Sequence, residues 1–213
     1  MKTALVAGGT GLVGHQLLNI LLASSRYDKV KVITRSDIQI SNPKLQQIKV
    51  DYTKLESYKD ELKADDVFCC LGTTMAKART KEKFYQVDYT YPFTLANVAK
   101  DQQAEQFLLI SALGADKHAS IYYNRVKGEL EEAVSNLKFQ SVHIFRPSLL
   151  LGPRAESRPA EDAAKIFYKV FWFLIPDKYK AIQSEQVAKA MLHFAEKEQK
   201  GIFIHESREL QNI

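Results

Sequence analysis

The chain has 213 residues, 46% of them apolar and 26% charged, with a formal net charge of +5. The length suits one α/β domain around a single core, and the composition excludes a disordered or fibrous chain. The longest apolar run, residues 166–175, is broken by Lys169 and stopped by Pro176, short of the about 18 residues that span a bilayer.

In chain order, residues 3–7 are apolar without alternation, as in a strand covered on both faces of a parallel sheet. A glycine-rich turn follows, and residues 15–23 place leucines and Ile20 at helical spacing. Residues 30–34 predict a second strand, 48–50 a short third, and 55–62 a weak helix. After the turn-forming Asp65 and Asp66, a fourth strand covers 67–71 and contains Cys69 and Cys70. Adjacent cysteines rarely bridge without strain, so these read as reduced core thiols. A long helix is expected at 83–100, a fifth strand at 107–110, a helix at 122–137, and a sixth strand at 142–145 closed by Arg146 and Pro147. Helices at 160–174 and 184–198 and a strand at 201–204 complete the chain. Strands alternating with helices imply right-handed βαβ units and a doubly wound parallel sheet with helices on both faces. Residues 1–213 read as one domain, with 148–183 forming a small cap over the strand ends.

The first strand runs into Gly8-Gly9-Thr10-Gly11-Leu12-Val13-Gly14, a GxxGxxG spacing. Such a turn uses one glycine for positive φ, one to let backbone approach a pyrophosphate, and one to pack helix against strand. The helix that follows aims its free amides and positive dipole end at the phosphates. Strand, glycine turn and helix in that order are the context that makes the pattern a dinucleotide site.

The second strand ends Thr34-Arg35-Ser36. An NAD-selective fold places an acid here for the ribose hydroxyls, whereas a guanidinium suits a 2′-phosphate. NADP(H) is therefore the expected cofactor, with NAD(H) as the alternative if Asp37, two residues on, serves as that acid. Asp51 and Tyr52 follow the third strand, where such folds cap the adenine ring; Asp51 also reads as a plain turn residue.

Ser111 ends the fifth strand, and Tyr123-Asn124-Arg125-Val126-Lys127 is a YxxxK spacing on the next helix. Residues four apart share a helical face, so phenol and ammonium meet in one site. The ammonium is expected to lower the tyrosine pKa and make Tyr123 a proton donor or acceptor. Ser111 would hold the substrate oxygen, and Lys127 the nicotinamide ribose as well.

With these residues in place, the sequence resembles an atypical short-chain dehydrogenase/reductase of the Tat-interacting oxidoreductase family. The resemblance rests on Gly8 to Gly14, Cys69-Cys70-Leu71-Gly72-Thr73-Thr74, Ser111 with Gly114-Ala115-Asp116-Lys117, Tyr123 to Glu129, Phe145-Arg146-Pro147 and Glu156-Ser157-Arg158-Pro159. It implies a three-layer Rossmann fold of about seven strands, bound NADP(H), and a Ser111-Tyr123-Lys127 site. It also implies that Leu71, Gly72 and Thr73 line the cofactor and that Pro147 closes over the nicotinamide. One departure stands out: Asp88 occupies the stretch where many relatives of the wider superfamily carry an asparagine.

Two functions follow. The first is a reductase or dehydrogenase acting on a small carbonyl or alcohol; the second is a non-catalytic NADP(H)-binding module that senses redox state or engages other proteins. A sugar-nucleotide epimerase is a weaker third, because little chain follows Pro147 to hold a nucleotide sugar. Residues 154–169 are the expected substrate-pocket lining, and the aromatic stretch 167–173 reads mostly as core, or as a homodimer face or an apolar pocket wall. The basic residues are scattered among acids, so no nucleic-acid partner is expected. The histidines show no metal-ligand spacing, so no metal is expected. No export or membrane signal is recognised, and the expected location is the cytoplasm.

Overall fold

The computed structural model describes residues 2–152 and 179–213. Its strands are β1 (Lys2–Ala7), β2 (Tyr27–Thr34), β3 (Leu45–Lys49), β4 (Asp66–Cys69), β5 (Gln106–Ile110), β6 (Ser141–Arg146), the short β7 (Leu150–Leu151) and β8 (Ile182–Gln183), and β9 (Gly201–Glu206). Seven of them form one parallel sheet in the order β3-β2-β1-β4-β5-β6-β9, and β7 pairs with β8 separately. The chain reverses its direction of travel between β1 and β4. In an open α/β sheet that switch point leaves a crevice beyond the carboxyl ends of the strands. This is the Rossmann arrangement.

Helices cover both faces: α1 (Leu12–Ala23) and, near the C-terminus, α6 (Ser184–Lys197) on one, α4 (Tyr91–Asp101) and α5 (Tyr122–Ser135) on the other. Between them in sequence lie the short α2 (Met75–Ala78) and α3 (Lys81–Tyr85), and α7 (Ser207–Leu210) ends the fold. The unalternating apolar runs are explained by the two cores. In β1, Ala4 and Val6 face a cluster with Leu17, Leu21, Val187 and Met191. Leu5 and Ala7 face the other, with Leu95, Leu130 and Val134. All four β1 residues are fully buried, and each leucine-sized side chain so removed from water contributes about 1.5–3 kcal/mol.

Two local expectations change. The weak helix at 55–62 is instead a 3-10 turn, Tyr52–Tyr58, opened by Asp51, whose side chain accepts the Thr53 amide. The single helix expected at 83–100 is interrupted: α3 passes into a π turn, Gln86–Thr90, before α4 begins. There the Tyr91 amide reaches back five residues to the Gln86 carbonyl. Pro92, in the first turn of α4, supplies the cause. It has no N–H to give the carbonyl four residues back, and its ring crowds that carbonyl. The cap expected at 148–183, its helix at 160–174, the lining at 154–169, the aromatic stretch at 167–173 and the Glu156 to Pro159 block fall wholly or largely at 153–178, outside the described residues.

Candidate functional site

The glycine turn closes as its spacing predicts. Gly8 has φ +82°, and a β-carbon on it would stand 2.5 Å from the Cys70 carbonyl oxygen, so the turn after β1 is packed against the end of β4. Gly14, the third of the set, lies with its α-carbon against the Gly8 backbone; any side chain there would push α1 off the turn. The Gly11 amide donates to the Gly8 carbonyl at 2.9 Å. Gly11 caps α1 without a side-chain hydrogen bond, and the first turn holds no acid. Among the described residues no side chain caps the amides at this helix start, the kind of end that accepts an anion. Thr10 and Gly11 are exposed on the turn, Leu12 is half-buried and Val13 is buried in the core. Gly152, just after β7, sits over the Leu12 side chain, which brings the start of the cap segment beside the turn.

At the end of β2, Arg35 is exposed and forms no ion pair with the described residues. Asp37, the competing acid, is tied to Lys49 at 2.9 Å. Asp51 is exposed and occupied in capping its own turn, accepting from the Thr53 amide and hydroxyl. Tyr52 is buried; its hydroxyl donates to the Ile33 carbonyl at 3.2 Å and its ring packs on Tyr91. It braces the strand end rather than offering its ring to solvent.

Beyond β4, Leu71, Gly72 and Thr73 run along the crevice, with Gly72 exposed. Beneath them lies an ion pair. Lys127 Nζ is 2.7 Å from Asp88 Oδ1, with side-chain exposures of 4% and 0%, so neither charge is shared with bulk water. The second carboxylate oxygen accepts the Thr73 amide at 2.8 Å. A β-carbon on Gly72 would stand 3.3 Å from Asp88 Oδ1 and 3.5 Å from Lys127 Nζ, so the pair sits directly under the glycine. The π turn forced by Pro92 is what carries Asp88 to this place.

Tyr123 lies one helical turn before Lys127 on α5, its ring 5.5 Å from that of the fully buried Phe84. Burial pushes the phenol up; Lys127 pulls it down, and Asp88 pushes it up again. The net direction is upward, against the expectation that Lys127 lowers it. Tyr123 thus holds its proton through neutral pH. Burial, the largest influence, works against the Lys127 charge, but Asp88, with Tyr123 and Cys69 behind it, raises it further, and the net direction is above its ordinary range.

Ser111 is buried at the end of β5, but its hydroxyl donates to Glu131 on α5 rather than to Tyr123 or Lys127. Glu131 is gripped by Arg146, whose Nε and Nη2 donate at 3.0 and 2.5 Å. The sequence reading did not single out Glu131; its signal was its place four residues beyond Lys127 on the same helical face. Pro147 is buried, and its carbonyl accepts the Leu113 amide at 3.0 Å, which fixes the chain after β6 against the chain after β5. Among the described residues no group of histidine, cysteine and acids is gathered that would hold a metal, and no helix is long and apolar enough to cross a membrane.

A family model described as NAD(P)H-binding matches residues 8–150. The protein HTATIP2 of Rattus norvegicus is 36% identical over 199 residues, 90% of this chain and 80% of that one. The mitochondrial protein FMP52 of Debaryomyces hansenii is 33% identical over 91% of this chain and 87% of its own length. Among solved structures, MoeE5 in complex with UDP-glucose and NAD superposes with a TM-score of 0.74 at 16% identity, over 95% of this chain and 74% of that one. An oxidoreductase of the short-chain dehydrogenase/reductase family from Burkholderia thailandensis gives 0.70 at 16% identity, over 100% and 93%. At such identities these two show the shared fold.

Proposed function

The chain belongs to the NAD(P)H-binding family, and from that premise we propose that it is an NADP(H)-dependent oxidoreductase acting on a small carbonyl compound or the matching alcohol. One observation carries the reading: the uncapped glycine turn and the Tyr123–Lys127 face line one crevice. Gly8 packs on Cys70, and Gly72, two residues later, covers Lys127 and Asp88. A dinucleotide laid along that path would rest its pyrophosphate on α1 and its nicotinamide end beside Tyr123.

When bound, the cofactor supplies or accepts a hydride at the carbon of the carbonyl group. Tyr123, protonated at neutral pH, gives its phenolic proton to the oxygen as the hydride arrives and takes it back in the reverse direction. Lys127, fixed by Asp88, holds positive charge beside that oxygen's proton donor, and in this reading it would also hold the nicotinamide ribose. Leu71, Gly72, Thr73 and Pro147 form the crevice wall. Arg35, exposed and without an ion pair among the described residues, favours a 2′-phosphate and hence NADP(H). A second reading, a cofactor-binding module without turnover, draws support from Ser111, whose hydroxyl is taken by Glu131. The cytoplasm remains the proposed location, while the D. hansenii relative carries "mitochondrial" in its name; cell fractionation decides between them.

Titration of the purified chain with NADPH and NADH, followed by nucleotide fluorescence, tests the reading. NADPH is expected to bind, and Arg35→Ala to weaken it by about tenfold or more, the worth of one charge-assisted phosphate contact, with NADH little changed. Binding of neither nucleotide overturns the assignment. Turnover in a carbonyl screen that is lost in Tyr123→Phe with NADPH affinity kept selects the enzyme over the module.

A further inference from the structure

Lys127 has a problem that the Tyr123–Lys127 reading leaves unsolved: it is 3% exposed. An ammonium so far from water loses its proton unless an anion stands beside it. The groups that act on it are Asp88 from the π turn, Tyr123 from its own helix and Cys69 from β4. Burial pushes the Cys69 thiol up to about 12, and Tyr123 is also raised, so both are neutral near pH 7. Among the described residues the negative charge left to face Lys127 is Asp88.

We propose that Asp88 is the positioning residue of this site: its carboxylate keeps Lys127 a charged, fixed ammonium and ties that ammonium to the crevice loop through the Thr73 amide. The inference rests on the reading of Tyr123 and Lys127 as the reacting pair. Asp88 joins two elements, the loop after β4 and helix α5. Its two oxygens divide the work, one for Thr73 and one for Lys127. Gly72 completes the arrangement: its backbone lies directly over the pair, and a β-carbon there would stand 3.3 Å from Asp88 Oδ1 and 3.5 Å from Lys127 Nζ. An asparagine at 88 would still accept the Thr73 amide, but it would bring no charge. The aspartate therefore changes the electrostatics of the site while leaving its backbone contact intact.

The test reads Lys127 itself and needs no substrate. In protein labelled with 13C and 15N at lysine, the Lys127 side-chain signals are assigned by their loss in Lys127→Met and followed with pH. In the wild type Lys127 stays charged to pH 10. In Asp88→Asn its titration midpoint falls by about two pH units or more, as for other unpaired buried lysines. An unchanged midpoint in Asp88→Asn overturns the proposal, as does a wild-type Lys127 already neutral at pH 9. That wild-type arm decides the matter even if Asp88→Asn does not fold. A second readout follows NADPH binding. In Asp88→Asn the affinity becomes pH-dependent between pH 7 and 9, and the dependence vanishes when Lys127→Met is added. Persistence of the dependence in the double variant counts against the proposal. Failure of NADPH to bind at all removes the oxidoreductase reading alone, because the Lys127 titration is measured without nucleotide.

Discussion

Ser111 gives its hydroxyl hydrogen to Glu131, and Glu131 in turn receives both the Nε and Nη2 hydrogens of Arg146. Three elements are pinned by this relay: the end of β5, the middle of α5 and the end of β6. All three border the crevice, so the relay fixes the helix that carries Tyr123 and Lys127 against the sheet. Arg146 has a second partner, Glu206 at 3.1 Å, but that carboxylate is half-exposed and contributes little.

Glu131→Gln is therefore expected to destabilise the fold by roughly 3 kcal/mol, the cost of leaving a partly buried guanidinium with only a neutral partner and a rim acid. Ser111→Ala, which removes one hydrogen bond to a charged acceptor, should cost about 1.5 kcal/mol. Urea unfolding midpoints measure both. If Ser111→Ala keeps full stability and loses turnover, the hydroxyl belongs to the chemistry instead of to the relay.

A different element controls Asp88. The π turn at Gln86–Thr90 exists because Pro92 cannot donate to, and crowds, the carbonyl four residues before it, which is that of Asp88 itself. Pro92→Ala restores the missing donor and permits a regular α-helical ladder through residues 86–92. The helix would then tighten by a fraction of a turn, rotating Asp88 away from Lys127. NADPH affinity is expected to fall severalfold, with the far-ultraviolet helix signal equal to or above that of the wild type. A variant that binds NADPH as the wild type does, with Lys127 signals unmoved, would show that the turn does not depend on the proline.

The sheet was legible because its signal is redundant. Each strand is an apolar run bounded by turn residues, and each is separated from the next by a helical period, so small errors at the ends do not change the order. The glycine turn was legible for a steric reason: Gly8 and Gly14 stand where the Cys70 carbonyl and the Gly8 backbone leave no room for side chains. Arg35 could be placed because a strand end fixes where its side chain emerges. The partners of Ser111 and Lys127 were not legible. Spacing along α5 groups Tyr123, Lys127 and Glu131 on one face, but it does not say which strand end Glu131 will meet. Asp88 could be noticed in the sequence as a departure, yet its contact with Lys127 depends on a break in helical phase. A period of 3.6 residues, extended across Pro92, misplaces it.

Along β6 and the edge strand β9 four side chains form a line that reads in one direction only, with Ser141, His143 and His205 buried and Glu209 half-exposed. Glu209 Oε2 is 3.1 Å from His205 Nδ1, His205 Nε2 is 3.0 Å from His143 Nδ1, and His143 Nε2 is 2.9 Å from the Ser141 hydroxyl. A carboxylate only accepts, so His205 carries its proton on Nδ1, which leaves Nε2 to accept from His143 Nδ1, whose own Nε2 accepts from Ser141. Both rings are neutral in this line, and a second proton on His205 would set its Nε2–H against the His143 Nδ1–H. Burial, aided by the neighbouring His205 and by Lys197, lowers His143 from 6.5 to about 4. Burial also lowers His205, with Glu209 opposing. Both folded-state values lie below those of the unfolded chain, so between pH 6.5 and about 4 the unfolded state binds protons that the folded state refuses. The stability owed to these rings is complete above pH 6.5 and is lost as pH falls through that window. Going from pH 7.5 to 5.5 should therefore lower the unfolding free energy by roughly 1 kcal/mol, above the range where ordinary carboxylates titrate. Urea midpoints at the two pH values check this, together with His143→Phe, which removes one of the two titrating rings and should reduce the drop. A wild-type midpoint that does not move between pH 7.5 and 5.5 would mean that one of the rings is already charged in the folded protein and that the line runs the other way.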